Sequence, residues 1–110
     1  MSDFEYIAAN LSDEDILCQI AEEASELAQA ALKLRRAITG TNPTPVSDEE
    51  AVDSIIEEYA DTIGAFEVWA AKCGGDGVQL VGTDLAEIID AKYSRWAKRI
   101  KESKLPKKDG

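Results

Sequence analysis

One hundred and ten residues, 45% of them hydrophobic and 6% aromatic, suffice for one compact core, so residues 1–103 are expected to form a single helical domain and 104–110 a flexible basic tail. The formal charge of −10, from 22 acidic against 12 basic residues, would repel a nucleic-acid backbone over most of the surface and disfavours DNA or RNA as a partner. Solubility alone also accounts for an acidic excess, so the position of the acids carries more information than their number.

In chain order, residues 3–9 can form a short helix, with Ser2 as cap and Glu5 three residues on. The first long helix starts after Ser12, with Asp13, Glu14 and Asp15 in its first turn, and runs to about Ile38, where Thr39-Gly40 stops it. Its apolar positions Ile16, Ile20, Leu27, Ala31, Leu34 and Ile38 form one stripe. Gly40 to Val46, with Pro43 and Pro45, is expected to be a loop. Ser47 and Glu50 form a capping box that opens the second long helix, which continues to about Lys72 and ends at Cys73-Gly74-Gly75-Asp76-Gly77. Val78 to Val81 fits a short extended piece or a turn. Thr83 or Asp84 then caps the third long helix, which carries Leu85, Ile89, Trp96 and Ile100 on one side and frays near Ser103. With no strand alternation, the expected class is all-α: a bundle of three long helices and a short N-terminal one.

Several classes of chemistry are excluded. Cys18 and Cys73 are far apart and form no metal-binding or disulfide pattern. The N-terminus lacks the basic start and apolar run of a signal peptide, and no stretch approaches the roughly 20 apolar residues of a membrane span. A cytoplasmic protein without membrane partners is expected. There is no histidine, so any chemistry must come from carboxylates, lysines and arginines.

The carboxylates are patterned. Glu22-Glu23-x-x-Glu26 lies on the first long helix and Glu57-Glu58-x-x-Asp61 on the second, and acids three apart share a helix face. At about 100° per residue, Glu23 falls beside Ile16, Ile20, Ala30 and Leu34, with Glu26 on the flank. On the second helix the main apolar stripe is Val52, Ile56, Tyr59, Ile63, Phe66 and Ala70. Glu58 and Asp61 point away from it, yet their side continues through Gly64, Ala65, Val68 and Trp69. A helix apolar on both sides is buried on both, which leaves Val68 and Trp69 for a second surface and implies a homodimer or a dimer of dimers. Either acidic motif alone suits an ordinary solvated helix. Both together, on partly apolar faces, call for a cation, and oxygen ligands without His or Cys select Mg²⁺, with Mn²⁺ as a substitute.

On the third long helix Lys92 and Arg99 share the stripe of Leu85, Ile89 and Trp96, where snorkelling of the stems is one reading and phosphate binding the other. Trp96 between them suits the core, or stacks on a base, and Arg95 lies farther round as a solvated charge.

Glu22-Glu23-x-x-Glu26-Leu, then Glu57-Glu58-x-Ala-Asp61, then Lys92 with Arg99, resembles the all-α nucleoside triphosphate pyrophosphohydrolases of the MazG-like and dimeric dUTPase superfamily, over roughly residues 12 to 100. The resemblance implies a helical bundle completed by dimerisation and Mg²⁺ on Glu23, Glu26, Glu58 and Asp61. It further implies hydrolysis of a (deoxy)nucleoside triphosphate to monophosphate and pyrophosphate, in nucleotide-pool housekeeping. In that scheme Glu22, or Glu23, orients the attacking water or accepts its proton, while Lys92, Arg99 and Trp96 contact substrate. One departure stands out: Trp96 occupies the asparagine position of the Lys-x-x-x-Asn-x-x-Arg pattern found in relatives. The alternative from another class is a non-catalytic helical dimer that acts as an interaction or nucleotide-sensing module.

Overall fold

The computed structural model describes residues 1–40, 47–74 and 77–105, with backbone alone over 77–84. Four helices, α1 (Asp3–Asn10), α2 (Asp13–Thr39), α3 (Asp48–Gly74) and α4 (Gly77–Ser103), and no strand make up the described residues. The class is all-α, as expected, and the short N-terminal helix is present. Each of the first three starts where a serine hydroxyl replaces the missing helical acceptor. Ser2 Oγ accepts from the Glu5 N–H at 3.1 Å, Ser12 Oγ from Asp15 at 3.1 Å and Ser47 Oγ from Glu50 at 3.1 Å. Gly40 closes α2 at φ 66°, and its N–H donates to the Arg36 carbonyl at 2.9 Å.

The start of the last helix corrects the reading of the sequence. The backbone over Val78–Val81 is helical, and α4 begins at Gly77 rather than at a cap on Thr83 or Asp84. The stretch contains β-branched residues and Gly82, but no proline removes an N–H or blocks the turn. The propensity cost, about 1 kcal/mol at a glycine, is small enough to be carried by continuation of a 27-residue helix. The expected loop over residues 41–46 and the tail beyond residue 105 lie outside the described residues.

The α2/α3 pair is built on two seams. Ile16, Ile20, Glu23, Leu27, Ala30, Leu34 and Ala37 recur at alternating spacings of four and three residues along α2, and all are buried or half-buried. Ala51, Ile55, Glu58, Thr62, Ala65 and Trp69 do the same along α3. Such spacing keeps a face turned continuously toward a partner helix. α3 is central, packing against α2, α1 and α4, while α4 touches neither α1 nor α2 among the described residues.

Burial corrects the expected assignment of the α3 faces. Val68 (8% exposed) is buried and Trp69 half-buried within the chain, with the Phe66 and Trp69 rings 5.5 Å apart. The side left uncovered is the larger stripe, Val52, Ile56, Tyr59 and Ile63. The seam wins because its small residues, Ala51 and Ala65, allow close approach of α2. On α4 all described residues are exposed, including Leu85, Ile89, Trp96 and Ile100. The radius of gyration is 18.9 Å, against about 13 Å for a compact chain of this length, because the long helices project beyond the small core.

The short α1 is tied down from the far end of α3. Lys72 Nζ donates to the carbonyls of Leu11 (2.7 Å) and Ala8 (3.1 Å) and lies 3.9 Å from Asp13. The ammonium thus satisfies carbonyls that the end of a helix leaves without partners. K72M is expected to cost about 1–2 kcal/mol and to lower amide-exchange protection in residues 3–10 more than in α2. A uniform loss of protection would show that the contact is not a local tether.

Candidate metal centre

Glu23 and Glu58 occupy seam positions on facing helices, where the pattern otherwise places apolar or small residues. Glu26 stands one turn beyond Glu23. One carboxylate oxygen from each of Glu23, Glu26 and Glu58 lies within 4.8 Å of the other two. Asp61 is outside that triad but close enough to press electrostatically on both Glu23 and Glu58. Four acids separated by up to 38 positions in sequence are therefore gathered by the pairing of two helices.

The hydrogen bonds of this cluster are incomplete. Gln19 Nε2 donates to Glu23 Oε1 at 2.6 Å, and Thr62 Oγ1 donates to the Glu58 backbone carbonyl at 2.8 Å. Glu23 Oε2 and Glu58 Oε2 are buried and have no hydrogen-bond partner. An orphaned buried acceptor is costly, more so when charged. Desolvation accordingly raises both carboxyls above the usual range. For Glu23 the Gln19 bond pulls the other way, while Glu26 and Asp61 add repulsion; for Glu58, Glu26 adds most, followed by Asp61 and Glu23. No cation lowers either group.

These shifts fix a sign. A carboxyl whose folded-state pKa lies above its unfolded value binds protons more tightly when folded, so it withdraws stability as pH rises from about 4.5 through the raised value. The metal-free protein is expected to melt at progressively lower temperature across that window, and saturating Mg²⁺ to flatten the slope. A melting temperature that rose with pH in chelator would contradict the strained cluster.

The donor set fits a hard cation. Oxygens on one Mg²⁺ stand about 3 Å apart when adjacent and about 4.2 Å apart when opposite, so three donors within 4.8 Å of one another can converge on one ion by side-chain movement without a shift of the helices. Mn²⁺ makes the same demand on the donors. Glu22, by contrast, is exposed on the flank of α2 and lines a shallow groove with Cys18, Ser25 and Glu26. Cys18 and Cys73 are both exposed and unbridged.

The basic residues lie elsewhere. Lys92, Trp96 and Arg99 share an open groove on α4 of about 610 Å³, with Arg95, Lys98 and Glu102, and none of the acidic cluster lines it. Two cations that sequence reasoning did not select lie closer. A groove of about 360 Å³ runs from Glu26 and Glu58 along α2 to Lys33 and Arg36. Their signal was the row Glu26, Gln29, Lys33, Arg36, spaced three, four and three residues along one helix edge. Gln19 could likewise have been found as the residue one turn before Glu23.

No family model, curated protein or solved structure matches this chain.

Proposed function

We propose that the protein is a Mg²⁺-dependent nucleoside triphosphate pyrophosphohydrolase. The observation that carries this reading is the pair of facing seam carboxylates, Glu23 and Glu58, each with a buried oxygen that lacks a partner, beside Glu26. An apolar pair at those positions would hold α2 to α3 better, so the acids serve a ligand rather than the fold. In this reading Glu23, Glu26, Glu58 and Asp61 hold the ion. Mg²⁺ bound there supplies positive charge to the phosphate oxygens and acidifies the attacking water.

The chain's own groups do the rest. Glu22, outside the triad yet adjacent to it, orients the water and takes its proton, because a carboxylate committed to a cation is a poor base. Water attacks the α-phosphorus, the bond to the bridging oxygen breaks, and pyrophosphate leaves with the monophosphate as second product. Gln19 holds Glu23 in place. Lys92 and Arg99 bind phosphate oxygens and Trp96 walls the base.

Among the described residues α4 makes no contact with α2, and none of the four acids lines its groove, so in this reading the α4 contacts come from a second copy. The uncovered α3 stripe and the exposed apolar positions of α4 support a homodimer or a dimer of dimers. No described helix is long and apolar enough to cross a membrane. Pyrophosphate release across canonical and damaged triphosphates, with Mg²⁺, tests the assignment. Metal-dependent thermal stabilisation without release from any of them would instead favour a nucleotide-sensing module, and no metal dependence at all a plain interaction protein.

A further inference from the structure

The groove beside the acidic cluster is charged in opposite senses at its two ends. Glu26 and Glu58 line one end, and Lys33 and Arg36 the other, with Gln29 and Ser54 between. Lys33 and Arg36 stand seven and ten residues beyond Glu26, about 10 and 15 Å along the axis. Their stems lean back toward the acids, since helical side chains tilt toward the helix N-terminus. Neither makes an ion pair among the described residues. Neither lowers Glu23 or Glu58, both of which stay raised with only carboxylates acting on them as charged neighbours. The cations are therefore not counter-ions of the cluster.

A ligand complementary to such a groove has a cation at one end and several negative charges strung out from it. We propose that Lys33 and Arg36, with Gln29, form a subsite for the terminal phosphates of a polyphosphate chain, so that the groove reads the number of phosphates beyond the one at the carboxylates. The inference rests on the proposed metal site and adds what selects the ligand there. Arg36 can grip a terminal phosphate through two N–H groups, and Lys33 supplies a point charge nearer the ion. Orthophosphate reaches only the acidic end, whereas pyrophosphate and tripolyphosphate span toward both cations. A nucleoside monophosphate product loses this grip and leaves.

Titration calorimetry of the full chain with orthophosphate, pyrophosphate and tripolyphosphate at constant free Mg²⁺ tests the subsite. Affinity is expected to climb with each added phosphate. In the K33Q/R36Q double variant the climb should flatten, with at least about tenfold weaker tripolyphosphate binding, while stabilisation by Mg²⁺ alone stays unchanged. R36K should recover part of the loss relative to R36Q. A wild type stabilised by Mg²⁺ but indifferent to chain length overturns the subsite and leaves the metal reading standing. So does a double variant with the wild-type series. A wild type blind to Mg²⁺ defeats both.

Discussion

E58Q is expected to raise the melting temperature of the metal-free protein while it removes Mg²⁺-dependent stabilisation and slows triphosphate hydrolysis by at least about 100-fold. Glutamine keeps the size and shape of the side chain, so the α2/α3 seam repacks little. What changes is charge. Burial is the largest influence on the Glu58 carboxyl, and Glu26, Asp61 and Glu23 all press on it in the same direction. A neutral amide escapes that repulsion, and its N–H can donate to the neighbouring Glu26. Most substitutions destabilise, so a rise in stability at a half-buried polar position is diagnostic. E57Q is the control, because Glu57 is exposed on the adjacent position, outside the triad, and should leave both melting temperature and rate near wild type. If E58Q melted lower than wild type in chelator and kept its response to Mg²⁺, Glu58 would be an ordinary structural residue.

The seam explains why this cluster was legible in the sequence. Serine caps and the Thr39-Gly40 stop mark helix ends by local chemistry, and they fall within a residue or so of the observed bounds of α1, α2 and α3. Glu23 could be read beside Ile16, Ile20, Ala30 and Leu34 because one period governs both packing and acids. Three features escaped. The helix through Val78–Val81 depends on continuation from Leu85 onward, which outweighs the weak local preference of β-branched residues and glycine. The choice between two apolar faces of α3 depends on which one α2 fits. That is a tertiary property: Ala51 and Ala65 admit a close neighbour, whereas Tyr59 and Ile63 do not, so the smaller-looking face is covered. Lys33 and Arg36 were missed for a related reason. On a wheel they look like solvated charges, and only the groove between two helices puts them in line with Glu26 and Glu58.

Mixing two inactive variants is expected to restore activity. The α4 groove that carries Lys92, Trp96 and Arg99 is separate from the acidic groove, and α4 makes no contact with α2 among the described residues. Trp96 is 58% exposed, on the same stripe as Leu85, Ile89 and Ile100, and the α3 stripe of Val52, Ile56, Tyr59 and Ile63 is also uncovered. Two copies related by a twofold axis can cover both stripes at once, and each then offers its α4 cations to the acids of the other. On the proposed function E58Q fails for want of a carboxylate and K92Q/R99Q for want of phosphate contacts, and the two defects would lie on different chains of a composite site. After refolding an equimolar mixture, half the dimers pair unlike chains, and in each of those one site combines intact acids with intact cations while the other has both defects. Recovery should therefore approach about a quarter of wild-type activity. A site assembled within one chain gives no recovery at any mixing ratio. If K92Q/R99Q alone kept wild-type kcat/KM, α4 would have no part in the reaction, and the groove along Lys33 and Arg36 would be left as the sole source of positive charge beside the carboxylates.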